Sequence, residues 1–144
     1  MPNWCENRVD ISGEPEYVRK FMELVGKKFD FQKIIPMPKE LKDTTSPVRT
    51  EGENADMTYG RQKELLDKYG FDNWYDWALS NWGTKWPADG VQLVVNEDNY
   101  CRFVFMTAWC PPEGIYRKVK ELFPDLGISW FYDEPSMQFA GYLE

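Results

Sequence analysis

A chain of 144 residues, 42% hydrophobic and 17% aromatic, is long enough for one domain with a sizeable core and too aromatic for disorder. Its formal net charge of −7 disfavours binding nucleic acid by neutralising phosphates, which needs clustered Lys and Arg, and it suits a basic partner or mimicry of an anionic surface. There is no histidine, which removes Ser-His and Cys-His catalysis and the commonest zinc ligand together.

Trp4 to Ser12 alternates, with Cys5, Asn7, Val9 and Ile11 on one side and Trp4, Glu6, Arg8 and Asp10 on the other, which predicts a strand with one apolar face. Gly13 ends it. Pro15 suits the first turn of a helix, and Val18, Phe21, Met22 and Val25 recur at helical spacing up to a Gly26 cap. Phe29 to Ile35 is a short apolar run that reads as a further strand, stopped by Pro36-Met37-Pro38. Lys39 to Tyr59 is polar and without periodicity and reads as a long loop.

Gly60 to Tyr69 reads as a helix with Leu65, Leu66 and Tyr69 on one side. Asp72 is the expected N-cap of a second helix, which lines up Trp74, Ala78 and Trp82 and leaves Trp77 offset and partly exposed. Val91 to Asn96 and Tyr100 to Trp109 form a hairpin around Glu97-Asp98-Asn99. The second of these strands is apolar on both faces, so it is expected at the centre of a sheet covered on both sides. Pro111-Pro112 opens a helix carrying Ile115, Val119, Leu122 and Phe123, and two strands follow, Gly127 to Asp133 and Met137 to Leu143.

This order predicts a single α+β domain over residues 1–144: a ferredoxin-like βαββαβ antiparallel sheet with a helical insertion, about residues 36–88, after the first helix and an extra C-terminal strand. Both crossover helices then lie on one face. The insertion is expected to cover the other, where Val104, Met106 and Ala108 would otherwise be bare.

Three cysteines, Cys5, Cys101 and Cys110, form no pairing motif, so they are read as buried thiols in a reducing compartment. No apolar run approaches the ~20 residues of a membrane span. Met1-Pro2-Asn3-Trp4 lacks the basic and apolar regions of a signal peptide, so the expected location is the cytoplasm.

Four stretches carry a family resemblance: Pro2-Asn3-Trp4-Cys5-Glu6-Asn7-Arg8, Ile34-Ile35-Pro36-Met37-Pro38, Asn81-Trp82-Gly83-Thr84-Lys85-Trp86 and Thr107-Ala108-Trp109-Cys110-Pro111-Pro112. Together they resemble a YubB-like family of phage and plasmid proteins of unknown function. The resemblance implies a ferredoxin-like domain of mobile-element origin, within a bacterial host cell, and supplies no catalytic residue.

Asn3, Asn7, Asn81, Thr84, Lys85 and Thr107 are polar groups set among Trp4, Trp82, Trp86 and Trp109. They read either as a ligand pocket at one end of the sheet or as buried hydrogen bonds that fasten the insertion, and the second reading is preferred. Lys85 is placed to meet an indole. Glu6 and Asp10 offer two carboxylates for Mg²⁺ or acid–base work, but Arg8 between them is expected to pair with both. No catalytic set, metal site or cofactor motif is recognised. Tyr100, Phe103 and Phe105 invite comparison with RNA-binding sheets, against the acidic charge and the expected cover. The leading expectation is a non-enzymatic accessory protein that binds a protein partner, for instance as an antagonist of a host defence or regulatory protein. The alternatives are a small-ligand domain with a Trp-lined pocket and a single-stranded RNA-binding domain.

Overall fold

In the computed structural model residues 3–144 are described. The chain begins with β1 (Trp4–Ser12), in which alternate residues are fully buried, followed by α1 (Pro15–Val25). Helix α1 buries Val18, Phe21 and Val25 and ends at Gly26, whose N–H bonds to the Met22 carbonyl. The expected strand over Phe29–Ile35 is instead a short helix, α2 (Phe31–Ile34). Two features decide this. The Asp30 side chain accepts the Gln32 N–H at 2.9 Å, a helix N-cap. Phe31 and Ile34, three apart, then both reach the core, as they would from one helix face.

The segment read as a loop contains another short helix, α3 (Lys39–Lys42), pinned by buried Leu41. Thr44 ties it down, donating to the Leu41 carbonyl at 2.6 Å and accepting the Trp74 N–H at 2.9 Å. Helix α4 (Tyr59–Tyr69) is capped by Thr58 and buries Leu65 while Leu66 faces solvent, so the expected Leu65–Leu66 side is split. Helix α5 (Trp74–Asn81) is capped by Asn73 rather than Asp72, through a 2.8 Å bond from the Asp76 N–H. Asp72 is engaged by Gln62 at 3.0 Å. Trp77, expected at the rim, is buried, and Trp74 is the half-exposed one.

Strands β2 (Asp89–Glu97) and β3 (Tyr100–Ala108) form the hairpin. Helix α6 (Glu113–Leu122) buries Ile115, Tyr116 and Val119 and leaves Leu122 exposed. Strands β4 (Gly127–Glu134) and β5 (Phe139–Tyr142) complete the chain. The fold is α+β: one five-stranded sheet in the order β2-β3-β1-β4-β5, with every pairing antiparallel. Among the described residues no helix is long and apolar enough to cross a membrane.

Register sorts the side chains onto two faces. Val9 lies between Phe103 and Trp130, and Arg8 between Val104 and Phe131. On the Val9 face Phe21 of α1 meets Phe103 at 6.4 Å and Tyr116 of α6 meets Trp130 at 5.8 Å. Phe29 sits between them, 4.9 Å from Phe105 and 5.7 Å from Trp130.

The insertion joins this same layer. Trp82 packs on Phe31 at 5.7 Å, and Phe31 on Phe105 at 6.1 Å. The expectation that the insertion covers the second face is therefore wrong. Its apolar residues Leu41, Leu65, Trp77, Ala78 and Trp82 belong to the core that α1 and α6 also build. The second face tolerates water because Glu6, Arg8, Asp10 and Arg102 are interleaved with Val104 and Met106, and all six remain at least partly exposed. Ala108, grouped with them in the sequence, is buried.

Candidate functional site

The residues singled out in the sequence converge on one end of the sheet, and four of them form a closed fastening. Asn7 is fully buried; its amide donates to Thr107 Oγ1 at 2.9 Å and to the Cys5 carbonyl at 3.2 Å, and its oxygen accepts the Trp130 indole N–H at 3.0 Å. The Thr107 hydroxyl in turn donates to the Cys110 carbonyl at 2.7 Å. Thr84 donates to the Ala108 carbonyl at 2.9 Å and Trp82 to the Ile35 carbonyl at 2.8 Å. Apart from the Asn7 bond to Cys5 within β1, each of these bonds joins segments distant in sequence or holds the turn after β3. Asn81 stays local, bonding the Trp77 carbonyl at 2.9 Å.

Two glycines make this closure possible. A Cβ at Gly114 would lie 1.9 Å from the Asn81 oxygen, and one at Gly83 would lie 2.7 Å from the Glu113 nitrogen. The turn after α5 and the start of α6 thus touch backbone to backbone, which only glycine permits. Cys110 donates to the Gly83 carbonyl at 3.0 Å across the same seam.

The thiols are packing groups. Burial pushes Cys5 up to about 12, with the neighbouring Cys110 adding to it, and pushes Cys101 up to about 11; burial raises Cys110 as well. All three are therefore thiols, not thiolates, at neutral pH.

The other five singled-out residues form a rim. Trp4 stands against Trp86 with centroids 6.1 Å apart, and the Lys85 ammonium lies 4.3 Å over the Trp86 ring. The Asn3 carbonyl accepts the Trp109 N–H at 2.8 Å. Trp109, expected to pack the insertion, is 44% exposed and sits at φ 71°, so its ring projects outward from a left-handed backbone turn. A shallow groove of about 180 Å³ runs past Trp74, Trp82, Lys85 and Trp86. It is the nearest feature to the expected Trp-lined pocket.

The rim opens onto the uncovered sheet face, which divides into two halves. In one half the charges are paired, although Arg8 Nε is buried without a hydrogen-bond partner. Asp10 accepts from Arg102 Nε at 2.6 Å and from the Tyr100 hydroxyl, and Arg8 Nε lies 4.0 Å away. The bond to Asp10 raises both the Tyr100 phenol and the Arg102 guanidinium above their ordinary values. Arg8 also lies 5.0 Å over the Phe131 ring. The expected pairing of Arg8 with both neighbours is thus corrected: its ion-pair contact is with Asp10.

In the other half Glu6 stands between Met106 on β3 and Asp133 on β4. These residues, with Asn3, Trp4 and Pro135, line a recess of about 380 Å³. Among the described residues neither carboxylate has an ion pair or a side-chain hydrogen bond.

No family model matches the chain, and no curated protein does. A solved structure does. It is a crystal structure of a protein Api92 from Yersinia pseudotuberculosis, described by the family-model DUF1281, with TM-score 0.61 and 13% identity over 99% of this chain and 93% of that one. At that identity the likeness speaks for the fold alone.

Sequence reasoning missed Phe131, Asp133 and Met106 as members of one surface with Trp4 and Glu6. Consecutive residues of a strand point to opposite faces, so the strand expected over Gly127 to Asp133 sets Phe131 opposite Trp130. The register that brings β4 beside β1 was not written in any local pattern. Phe103 and Phe105, named for RNA stacking, are buried on the helix side, and the open face offers Tyr100, Phe131 and Tyr142 in their place. Among the described residues no three His, Cys, Asp or Glu side chains are placed to hold a metal ion.

Proposed function

We propose that this chain is a non-enzymatic protein-binding domain of a phage or plasmid, acting in the cytoplasm of a bacterial host through the open face of its sheet. The arrangement β2-β3-β1-β4, with α1 and α6 over one face, supports reading the frame as ferredoxin-like βαββαβ with α3 to α5 inserted and β5 added at the edge. The mobile-element role rests on the resemblance of the four motif stretches. The observation that carries the binding role is the open face itself, where Trp4, Val104, Met106 and Phe131 are only half-buried and lie beside charged neighbours. Half-wet apolar patches rimmed by charge are what protein interfaces use. Antagonism of a host defence or regulatory protein is the specific form favoured.

The test is retention of a protein from host lysate on immobilised wild type, compared with Val104→Lys/Met106→Lys. The double variant should keep its melting temperature and lose the partner; equal retention by both would move the site elsewhere.

The uncovered face also bears on the RNA alternative, because the insertion no longer stands in the way of Tyr100, Phe131 and Tyr142. Charge still opposes it: Glu6, Asp10 and Asp133 outnumber Arg8 and Arg102 in the centre of the face, and phosphates would be repelled. No general affinity for DNA or RNA at physiological salt is expected, and submicromolar binding in an anisotropy assay would reverse the order of the two readings.

A further inference from the structure

We infer that the recess formed by Trp4, Glu6, Met106 and Asp133 takes an arginine side chain of the protein partner; this deepens the reading of the open face as a binding surface and rests on it. Glu6 and Asp133 are cross-strand partners, on the same face of β1 and β4. Directly opposed residues have Cβ atoms about 5 Å apart, and like charges so placed destabilise a sheet. The same face answers this problem elsewhere: Asp10 is neutralised by Arg102 and Arg8. At Glu6 and Asp133 no described side chain does so. Arg8 is engaged over Phe131, and Lys85 over Trp86. Among the described residues the pair therefore has no cationic partner, and it stands beside a cavity of about 380 Å³.

The remaining walls choose among cations. Trp4 supplies an indole, and Met106 a polarisable thioether next to Glu6. A guanidinium stacks on aromatic and apolar surface with its faces and bonds carboxylates with its edge. An ammonium, a compact and strongly hydrated charge, uses such walls less well. The chain's net charge of −7 draws a basic surface toward the face at long range and the recess holds its arginine at short range.

The test uses the intact protein, with N-acetyl-arginine amide as the probe and N-acetyl-citrulline amide as its neutral counterpart. Nitrogen-15 spectra are followed at the Trp4 indole and at the Glu6 and Asp133 amides. Saturable shifts confined to this recess are expected with the arginine probe. The citrulline probe and the Glu6→Gln and Asp133→Asn variants should each bind about tenfold more weakly, the loss of one charge-assisted bond. Asp98→Asn, which removes the same charge from the hairpin turn, should bind the probe like wild type. Because the opposed charges strain the sheet, Glu6→Gln should also melt slightly higher than wild type. The absence of saturable shifts would overturn the assignment, as would equal weakening by Asp98→Asn or equal binding of N-acetyl-lysine amide. A partner retained by the open face without probe binding would discard the arginine recess alone; probe binding without any retained protein would discard the partner and keep the recess.

Discussion

The two faces of the sheet are built by the same strands and differ by one residue of offset, yet they do different work. Val9 and Trp130 are wholly buried under α1, α6 and Phe29, whereas their neighbours Arg8 and Phe131 face water and touch each other. One face holds interlocked aromatic rings and the buried hydrogen bonds of Asn7, Thr107 and Trp130. The other holds half-buried apolar groups among charges, which are paired at the Asp10 end and, among the described residues, unpaired at the Glu6 end. Parity along each strand therefore separates stability from recognition, and substitutions one residue apart should have effects of different kinds.

The largest effect belongs to the covered face. Trp130→Ala removes a fully buried ring that touches Phe29, Phe105 and Tyr116, and such truncations cost ~3–5 kcal/mol. That is a large share of the ~5–15 kcal/mol a domain has. Its thermal melt should collapse, and Trp82→Ala, which also loses the bond to Ile35, should follow it closely. Phe131→Ala, one residue along, should cost only ~1 kcal/mol. Equal melts for Trp130→Ala and Phe131→Ala would break the comparison of the two faces.

Next comes the polar seam. Asn7→Leu keeps the volume but leaves the Trp130 indole N–H without an acceptor and removes the donor to Thr107. An orphaned buried group costs ~1–3 kcal/mol. The urea midpoint should fall with the slope unchanged, since the variant alters contacts and not the area exposed on unfolding. An unshifted midpoint would mean that water replaces the lost partner.

Much of this was legible locally. Alternation located β1 and β3, helical spacing with Pro15 and Gly26 located α1, and the crowding of Asn7, Thr84 and Thr107 among tryptophans marked the seam. What escaped was decided by tertiary contacts. The apolar run at Phe29 fits a strand as well as a helix until the Asp30 cap and the core position of Phe31 choose. Trp77 and Trp109 are the same residue type with opposite fates, because burial depends on which turn carries the ring and not on the ring. The side of the sheet on which the insertion lies was invisible, since its apolar stripe fits either face; the aromatic cluster of Phe29, Phe31 and Phe105 settles it.

The thiols sharpen the comparison through pH. Cys5 and Cys101 lie on the covered face with folded values of about 12 and about 11, above an ordinary thiol value of 9.0. The folded state therefore holds its thiol protons over a range where the unfolded state has released them, and stability falls as pH rises. Their contribution is fully present below about pH 9 and lost between there and 11 to 12. Urea midpoints should decline over that window, and less steeply in Cys5→Ala. A slope unaltered by Cys5→Ala would show that other groups set the alkaline limit. In the native protein at pH 8, Ellman's reagent should react with these thiols only as fast as the protein opens.

The smallest effect is expected at Trp109, the tryptophan that the sequence set in the core and the structure sets on the rim. Its ring is 44% exposed, and its φ of 71° lies in the left-handed region that glycine adopts freely. Trp109→Gly relieves ~1 kcal/mol or more of backbone strain. Against this stand the partial burial of the ring and the ~0.5–1 kcal/mol entropic cost of glycine in the unfolded chain. These terms oppose one another at similar size, so the melt should stay within about 2–4 °C of wild type, the shift that ~1 kcal/mol produces in a domain of this size. The backbone bond from residue 109 to the Asn3 carbonyl survives in the variant, so the first residues of the described chain keep their anchor. A drop as large as that of Trp130→Ala would return Trp109 to the core. A wild-type melt with the partner lost would extend the recognition surface from the open face around the rim to the end of β3.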